Sequence, residues 1–151
     1  MKQVVILGLV LALGLGCAKD DGDKASKSAG GAANALGDDP TVIMEEMLSL
    51  MTDLSKTAEA NRADCAGLGK AMHDKMDELA PRLEQARLAS IRIEKKWAGK
   101  SMEERMDIMS KMPQIEAMAK VGETTSAILD KCSDDAEVTR FVERLEKLVG
   151  R

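Results

Sequence analysis

The stretch Lys95–Asp107, "KKWAGKSMEERMD", decides the fold, because it both ends one helix and starts another. Gly99 suits the close of the preceding helix, and Ser101 followed three residues later by Glu104 is the pattern of a capping box opening the next. Outward from this turn, apolar residues recur every three or four positions in both directions. Going back, the seam is Trp97, Ile93, Ser90, Ala86, Leu83, Leu79, Met76, Met72, Leu68 and Cys65. Going forward, it is Met102, Met106, Met109, Ile115, Met118, Ile128 and Leu129. The spacing predicts two helices of roughly thirty residues folded back on each other as an antiparallel hairpin. Pro81 is expected to kink the first, whose seam keeps phase on either side of it, and Pro113 to kink or break the second.

The hairpin makes a testable pairing. Residues equidistant from the Ala98–Lys100 turn stand at equal height, and Cys65 and Cys132 are equidistant from it. A Cys65–Cys132 disulfide is therefore expected at the open end, closing a long loop. Neither cysteine lies in a CxxC or a Cys/His cluster, so thioredoxin-like redox chemistry and tetrahedral zinc have no support.

Two shorter helices flank the hairpin. "DDPTVIMEEMLSLMTDL" begins with Asp39 as N-cap and Pro40 at the first helical position, and Ile43, Met47, Leu50, Leu54 and Ala58 form its stripe. It runs to about Asn61, after which Asp64 caps the second helix. Beyond Cys132, Asp134 and Glu137 offer a second capping box. The last helix is strongly amphipathic through Val138, Phe141, Val142, Leu145, Leu148 and Val149. No strand pattern competes. The expected fold is all-α: an up-and-down four-helix bundle built on a long, kinked, disulfide-clipped hairpin.

Both short helices attach at the disulfide end, so the bundle should form over Cys65 to about Leu83 and leave the far end of the hairpin covered by two helices only. That tip, Arg87–Met112, is the candidate partner-binding surface, with Leu88, Ile91, Arg92, Lys96, Trp97, Met102, Met106 and Met109 as its residues. Its rim from Arg82 to Lys100 carries six cations against Glu84 and Glu94, a balance suited to an acidic partner or a lipid headgroup surface.

The N-terminal quarter has a different character. After Lys2, Val4–Gly16 is an unbroken apolar and glycine run, too short at about 20 Å of helix for a bilayer core of roughly 30 Å. It reads as a signal-peptide core over residues 1–16. Cys17 follows at once, and then "AKDDGDKASKSAGGAANALGDD", a polar, small-residue tether ending at Asp39 and without apolar periodicity. The helical domain is 40–151. The sequence Leu13-Gly14-Leu15-Gly16-Cys17 resembles the lipobox of bacterial lipoprotein precursors, with Gly16 in place and Gly14 where that family has Leu. The resemblance implies cleavage before Cys17, lipidation of its sulfur and acylation, palmitate included, of the new N-terminus. It also implies a lipid-anchored, periplasm-facing protein of the cell envelope. Ala18 after the cysteine resembles outer-membrane sorting in Gram-negative bacteria. Ordinary signal cleavage after Ala18 is the competing reading, and either cut exports the chain.

Composition narrows the function classes. The chain carries net −4, of which Lys2 contributes +1 and the tether −2, leaving −3 for the domain. That near balance argues against nucleic acid as a partner, which demands a concentrated basic face. Trp97 and Phe141 are the only aromatics, so stacking platforms are absent. A single His, no Tyr and no phosphate loop leave no nucleophile–base–orienter trio, and an enzyme is not expected. Gly67 and Gly69 are assigned to close helix approach. The expectation is a membrane-anchored, non-catalytic partner-binding or scaffold domain, without cofactor, that binds an unknown protein or a second copy of itself. A reading of another class, a soft-metal or haem-binding bundle, would use Met51, Met72, His73 and Met76, since folding the first helix back brings Met51 level with His73.

Overall fold

A computed structural model describes residues 36–148, and within them the chain is all-α with one disulfide. The signal segment, Cys17, most of the tether and Val149 lie outside the described residues. The helices are α1 (Pro40–Asn61), α2 (Cys65–Lys96), α3 (Met102–Ser110), α4 (Gln114–Lys131) and α5 (Ala136–Leu148).

Local signals set most of the boundaries. Asp39 Oδ1 accepts from the Thr41 amide at 2.8 Å, with Pro40 at the first helical position of α1. The Ser101–Glu104 capping box forms in full: the Glu104 amide donates to Ser101 Oγ at 3.2 Å and the Ser101 amide to Glu104 Oε2 at 2.7 Å. Asp64 occupies the N-cap position of α2, but its side chain makes no capping hydrogen bond. At α5 the cap is Asp135 rather than Asp134, its Oδ1 accepting from the Glu137 and Val138 amides at 2.9 and 3.2 Å. The helix start is thus one residue later than the expected box, which leaves Glu137 without the reciprocal bond. α2 runs unbroken through Pro81, whereas the expected third helix is two, α3 and α4, separated by Lys111–Pro113. Pro113 has no amide to continue the ladder, and it serves as the N-cap of α4 instead.

Cys65 and Cys132 are joined, with Cα atoms 5.3 Å apart. The hairpin is nevertheless not a packed pair of rods. The extensively packed pairs are α1 with α2, α1 with α4, and α2 with α5. α1 therefore buries two adjoining stripes: Ile43, Met47, Leu50, Leu54 and Ala58, and beside them Met51 and Ser55. α2 and α4 are joined at their disulfide ends, while α1 supplies the main contact of each. The core runs along α1 and α2 and ends in Phe141 and Val138 of α5, both fully buried.

α5 comes close to α2 because Gly69 lacks a side chain. A Cβ there would stand 2.5 Å from the Glu137 Cβ and 2.8 Å from the Val138 amide nitrogen, so the glycine is required for this approach. At Gly67 the only close neighbour would be the Asp64 side chain of the same turn, so Gly67 makes no such approach.

Candidate functional site

α1 also settles what covers the far end of the hairpin. Arg82, next to Pro81 in the middle of α2, donates from Nε to Glu46 Oε1 at 2.7 Å, from Nη2 to Ser49 Oγ at 3.0 Å and from Nη1 to Asp53 Oδ2 at 3.2 Å. These acceptors lie on successive turns of α1, so one guanidinium fixes the register of the two helices. Its neighbours Glu46 and Asp53 hold it above the usual arginine range, with partial desolvation opposing them. In this register the segment before α1 reaches Arg92 and Lys96. Arg92 donates to Asp38 Oδ1 at 2.8 Å and to the Leu36 carbonyl at 2.6 Å, and Lys96 pairs with Asp38 Oδ2 at 2.8 Å.

Two premises of the tip surface are corrected by these contacts. The far end is not covered by two helices alone, since Pro40, Ile43 and Met44 lie with Trp97, Met109 and Met112 around a small cavity of about 40 Å³. Nor is the basic rim free: Arg82, Arg92 and Lys96 are engaged by α1 and the segment before it, and Arg87 is held by both Glu84 oxygens at 2.8 Å. Among the described residues of that rim, Lys95 and Lys100 have no ion pair. For Arg82 and Arg92 the sequence concealed this because their acceptors are 29 to 56 residues away.

Of the tip residues, Met109 is buried and Ile91, Arg92 and Trp97 are half-buried. Three large apolar side chains stay in water: Met102 at 65% exposure, Met106 at 45% and Leu88 at 44%. Met102 and Met106 are one turn apart on α3, whose sole buried side chain is Met109. Arg105 donates to the carbonyls of Trp97 and Lys100, holding the turn beneath them closed.

The candidate soft-metal residues are divided between two places. His73 sits edge-on to Phe141 of α5, ring centroids 5.8 Å apart, and its buried Nε2 has no hydrogen-bond partner among the described residues. Asp77, one turn on from His73, is paired with Arg144 of α5. Met51 and Met76 line a different space with Ala80, and Met72 is fully buried. Among the described residues there is no cluster of three or more His, Cys, Asp or Glu that would hold a metal ion.

The space that Met51 and Met76 line is a cavity of about 350 Å³ between α1, α2 and α5. α1 contributes Met47, Leu50, Met51 and Leu54; α2 contributes Met76, Ala80, Leu83 and Ala86; and α5 contributes Leu145 and Leu148. The polar residues of its lining are Glu84, Arg87 and Arg144. The space exists because only the first half of α5 seats fully. Val138 and Phe141 are buried against α2, while Leu145 is half-buried and Leu148 exposed. Apolar periodicity places Leu145 and Leu148 on the inner face of α5 but does not reveal that the helix stands off there.

No protein-family model matches this chain, and no curated protein and no solved structure does either. Among the described residues no helix is long and apolar enough to cross a membrane.

Proposed function

We propose that this chain is an exported lipoprotein, anchored in the cell envelope through Cys17 and facing the periplasm, whose helical domain works by binding rather than by catalysis. The observation that carries the binding reading is α3, a nine-residue helix that spends one side chain on the core and leaves Met102 and Met106 in solvent. Flexible thioether side chains on an exposed helix face suit a contact surface for a protein partner or a second copy. Arg92, Lys96 and Ile91 support that surface from behind rather than forming it, with Trp97 packed beneath the turn. In this reading the chain is an up-and-down four-helix bundle in which α3 and α4 are one rod broken at Pro113; the alternating chain direction supports it.

The anchor is tested by intact mass of the native protein. A species beginning at Cys17 with acyl chains added is expected, and an unmodified chain beginning at Lys19 would refute it. The surface is tested by photo-crosslinking from Met102 in the native envelope. A discrete adduct, absent when the probe stands at exposed Glu116, supports the contact surface, and the same adducts from both positions refute it.

One observation favours the second reading of a soft-metal or haem site: the orphaned ring nitrogen of His73. Titration with Cu(I) and with haem decides it. Binding lost on His73→Ala supports that site, and a protein that after desalting retains neither copper by metal analysis nor haem by Soret absorbance refutes it.

A further inference from the structure

The cavity between α1, α2 and α5 takes no part in the contact surface, and its chemistry points to a ligand of its own. We propose that it binds the hydrocarbon tail of a single anionic amphiphile of the fatty-acid class. The volume of about 350 Å³ is more than twice the roughly 150 Å³ that suffices to hold benzene in an engineered apolar core, so it has room for a tail on the order of a dozen carbons.

The walls select for a tail. They are aliphatic and thioether groups without an aromatic ring, and Met47, Met51 and Met76 are unbranched chains that adapt to an irregular neighbour. The polar side chains of the lining are those of Glu84, Arg87 and Arg144, so the alkyl and thioether walls offer no side-chain hydrogen bonds to orient a polar ring or sugar. An apolar space left unfilled deprives every wall of contacts, and an alkyl chain restores them.

The charged side chains select for an anion. Two guanidiniums and one carboxylate line the space, and Asp77 beside it pairs with Arg144, so an anion is recognised through unused N–H donors rather than through excess charge. Arg144 uses Nη2 on Asp77, and Arg87 uses Nε and Nη2 on Glu84, which leaves further N–H donors on both arginines for a carboxylate head. A partner's helix is a poorer fit, since a helix about 10–12 Å across cannot enter a space of this size and would insert only two or three side chains.

The test titrates the mature chain, carrying Cys17→Ser so that no covalent acyl group competes, with sodium dodecanoate and with dodecyltrimethylammonium below their micelle concentrations. Calorimetry should show saturable one-to-one binding of dodecanoate and at least tenfold weaker binding of the cationic amphiphile. Ala80 is exposed yet lines the cavity, so Ala80→Trp fills the space without touching a buried position. It should weaken dodecanoate at least tenfold while leaving the circular dichroism spectrum and melting temperature unchanged. Arg144→Gln should narrow the difference between the two head groups. The proposal is overturned if neither amphiphile saturates, if Ala80→Trp binds dodecanoate as the parent does, or if the space is closed by a dimer or a partner's helix that dodecanoate does not displace. None of these readouts depends on acylation of Cys17, so the anchor and the cavity stand or fall separately.

Discussion

Two glycines two residues apart should respond to alanine with opposite signs. In a helix interior, Gly→Ala gains roughly 0.5–1 kcal/mol from backbone entropy alone. At Gly67 the added methyl meets Asp64 Oδ2 at 2.5 Å and Cγ at 3.2 Å, the free end of a side chain that makes no capping bond and can rotate away. Gly67→Ala is therefore expected to be neutral or to stabilise by up to about 0.5 kcal/mol. At Gly69 the methyl meets Glu137 Cβ at 2.5 Å, the Glu137 carbonyl carbon at 2.8 Å and the Val138 nitrogen at 2.8 Å, which is backbone that moves only if α5 moves. Ordinary contact requires α5 to retreat by about 1 Å, and a gap of that size forfeits a quarter to a half of the dispersion energy across it. Val138 and Phe141 are the fully buried side chains at that interface, each contributing roughly 1.5–3 kcal/mol, so the loss is about 1–3 kcal/mol. Less the propensity gain, Gly69→Ala should destabilise by about 1–2 kcal/mol and lower the melting temperature by roughly 5–10 °C. Urea and thermal unfolding followed at 222 nm, with the disulfide intact, measure both variants. A Gly69→Ala protein as stable as the parent would refute the close approach of α5.

Removing the disulfide, by reduction or by Cys65→Ser with Cys132→Ser, opens a loop with a sequence separation of 67. It should cost on the order of 4 kcal/mol, read as the difference between urea midpoints with and without reductant. Arg82→Met removes the three bonds to Glu46, Ser49 and Asp53 and leaves the two carboxylates without the cation they share. A loss of about 1 kcal/mol is expected for this half-exposed group, shrinking at high salt, and a loss independent of ionic strength would count against the clamp. Asp38 is held below its usual value of 3.8, first by the hydrogen bond from Lys96 and then by that from Arg92. Its contribution is accordingly complete above pH 3.8 and fades as the pH falls through the lower folded value. Emission from Trp97, the single tryptophan, should report release of the Leu36–Asp38 segment in that acid range, and Asp38→Asn should abolish the transition.

Much of the fold was legible because helix ends are local events. Asp39 with Pro40, and Ser101 with Glu104, declare themselves within four residues, and the cysteine pair followed from symmetry about a single turn. The neighbours of each helix were not legible in the same way. Equal height about a turn fixes how far along two rods a pair lies, but it is indifferent to a third rod between them. The signal for that third rod was present in α1, where Met51 and Ser55 make a second buried stripe beside Ile43, Met47 and Leu50. A helix with one partner needs one stripe, and α1 has two. The candidate surface suffered from a related blindness. Arg82, Arg92 and Lys96 look solvated in a window of eight residues, yet their acceptors are supplied by a distant segment that only the tertiary register brings alongside. Of the tip, Met102, Met106 and Leu88 are exposed: α3 is too short to turn more than Met109 inward, and Leu88 faces water on α2. The stand-off of Leu145 and Leu148 on α5 is invisible to periodicity for another reason: an amphipathic pattern records which face points inward, not whether anything is there to meet it.

The bond between Cys65 and Cys132 has a mechanical corollary. The link from α1 to α2, the link from α4 to α5 and the covalent cross-tie all gather at one pole of the molecule. The opposite pole has one chain link, the Trp97–Ser101 turn, and otherwise the grip of Arg92 and Lys96 on Asp38, which is reversible in water. The domain is therefore a lever with one rigid end and one yielding end, and amide exchange should quicken steadily from the first to the second. Leu36, the first described residue, lies at the yielding end, so if the chain is anchored through Cys17 as proposed, a pull on it would peel away Leu36–Asp38 before it strained anything near the sulfurs.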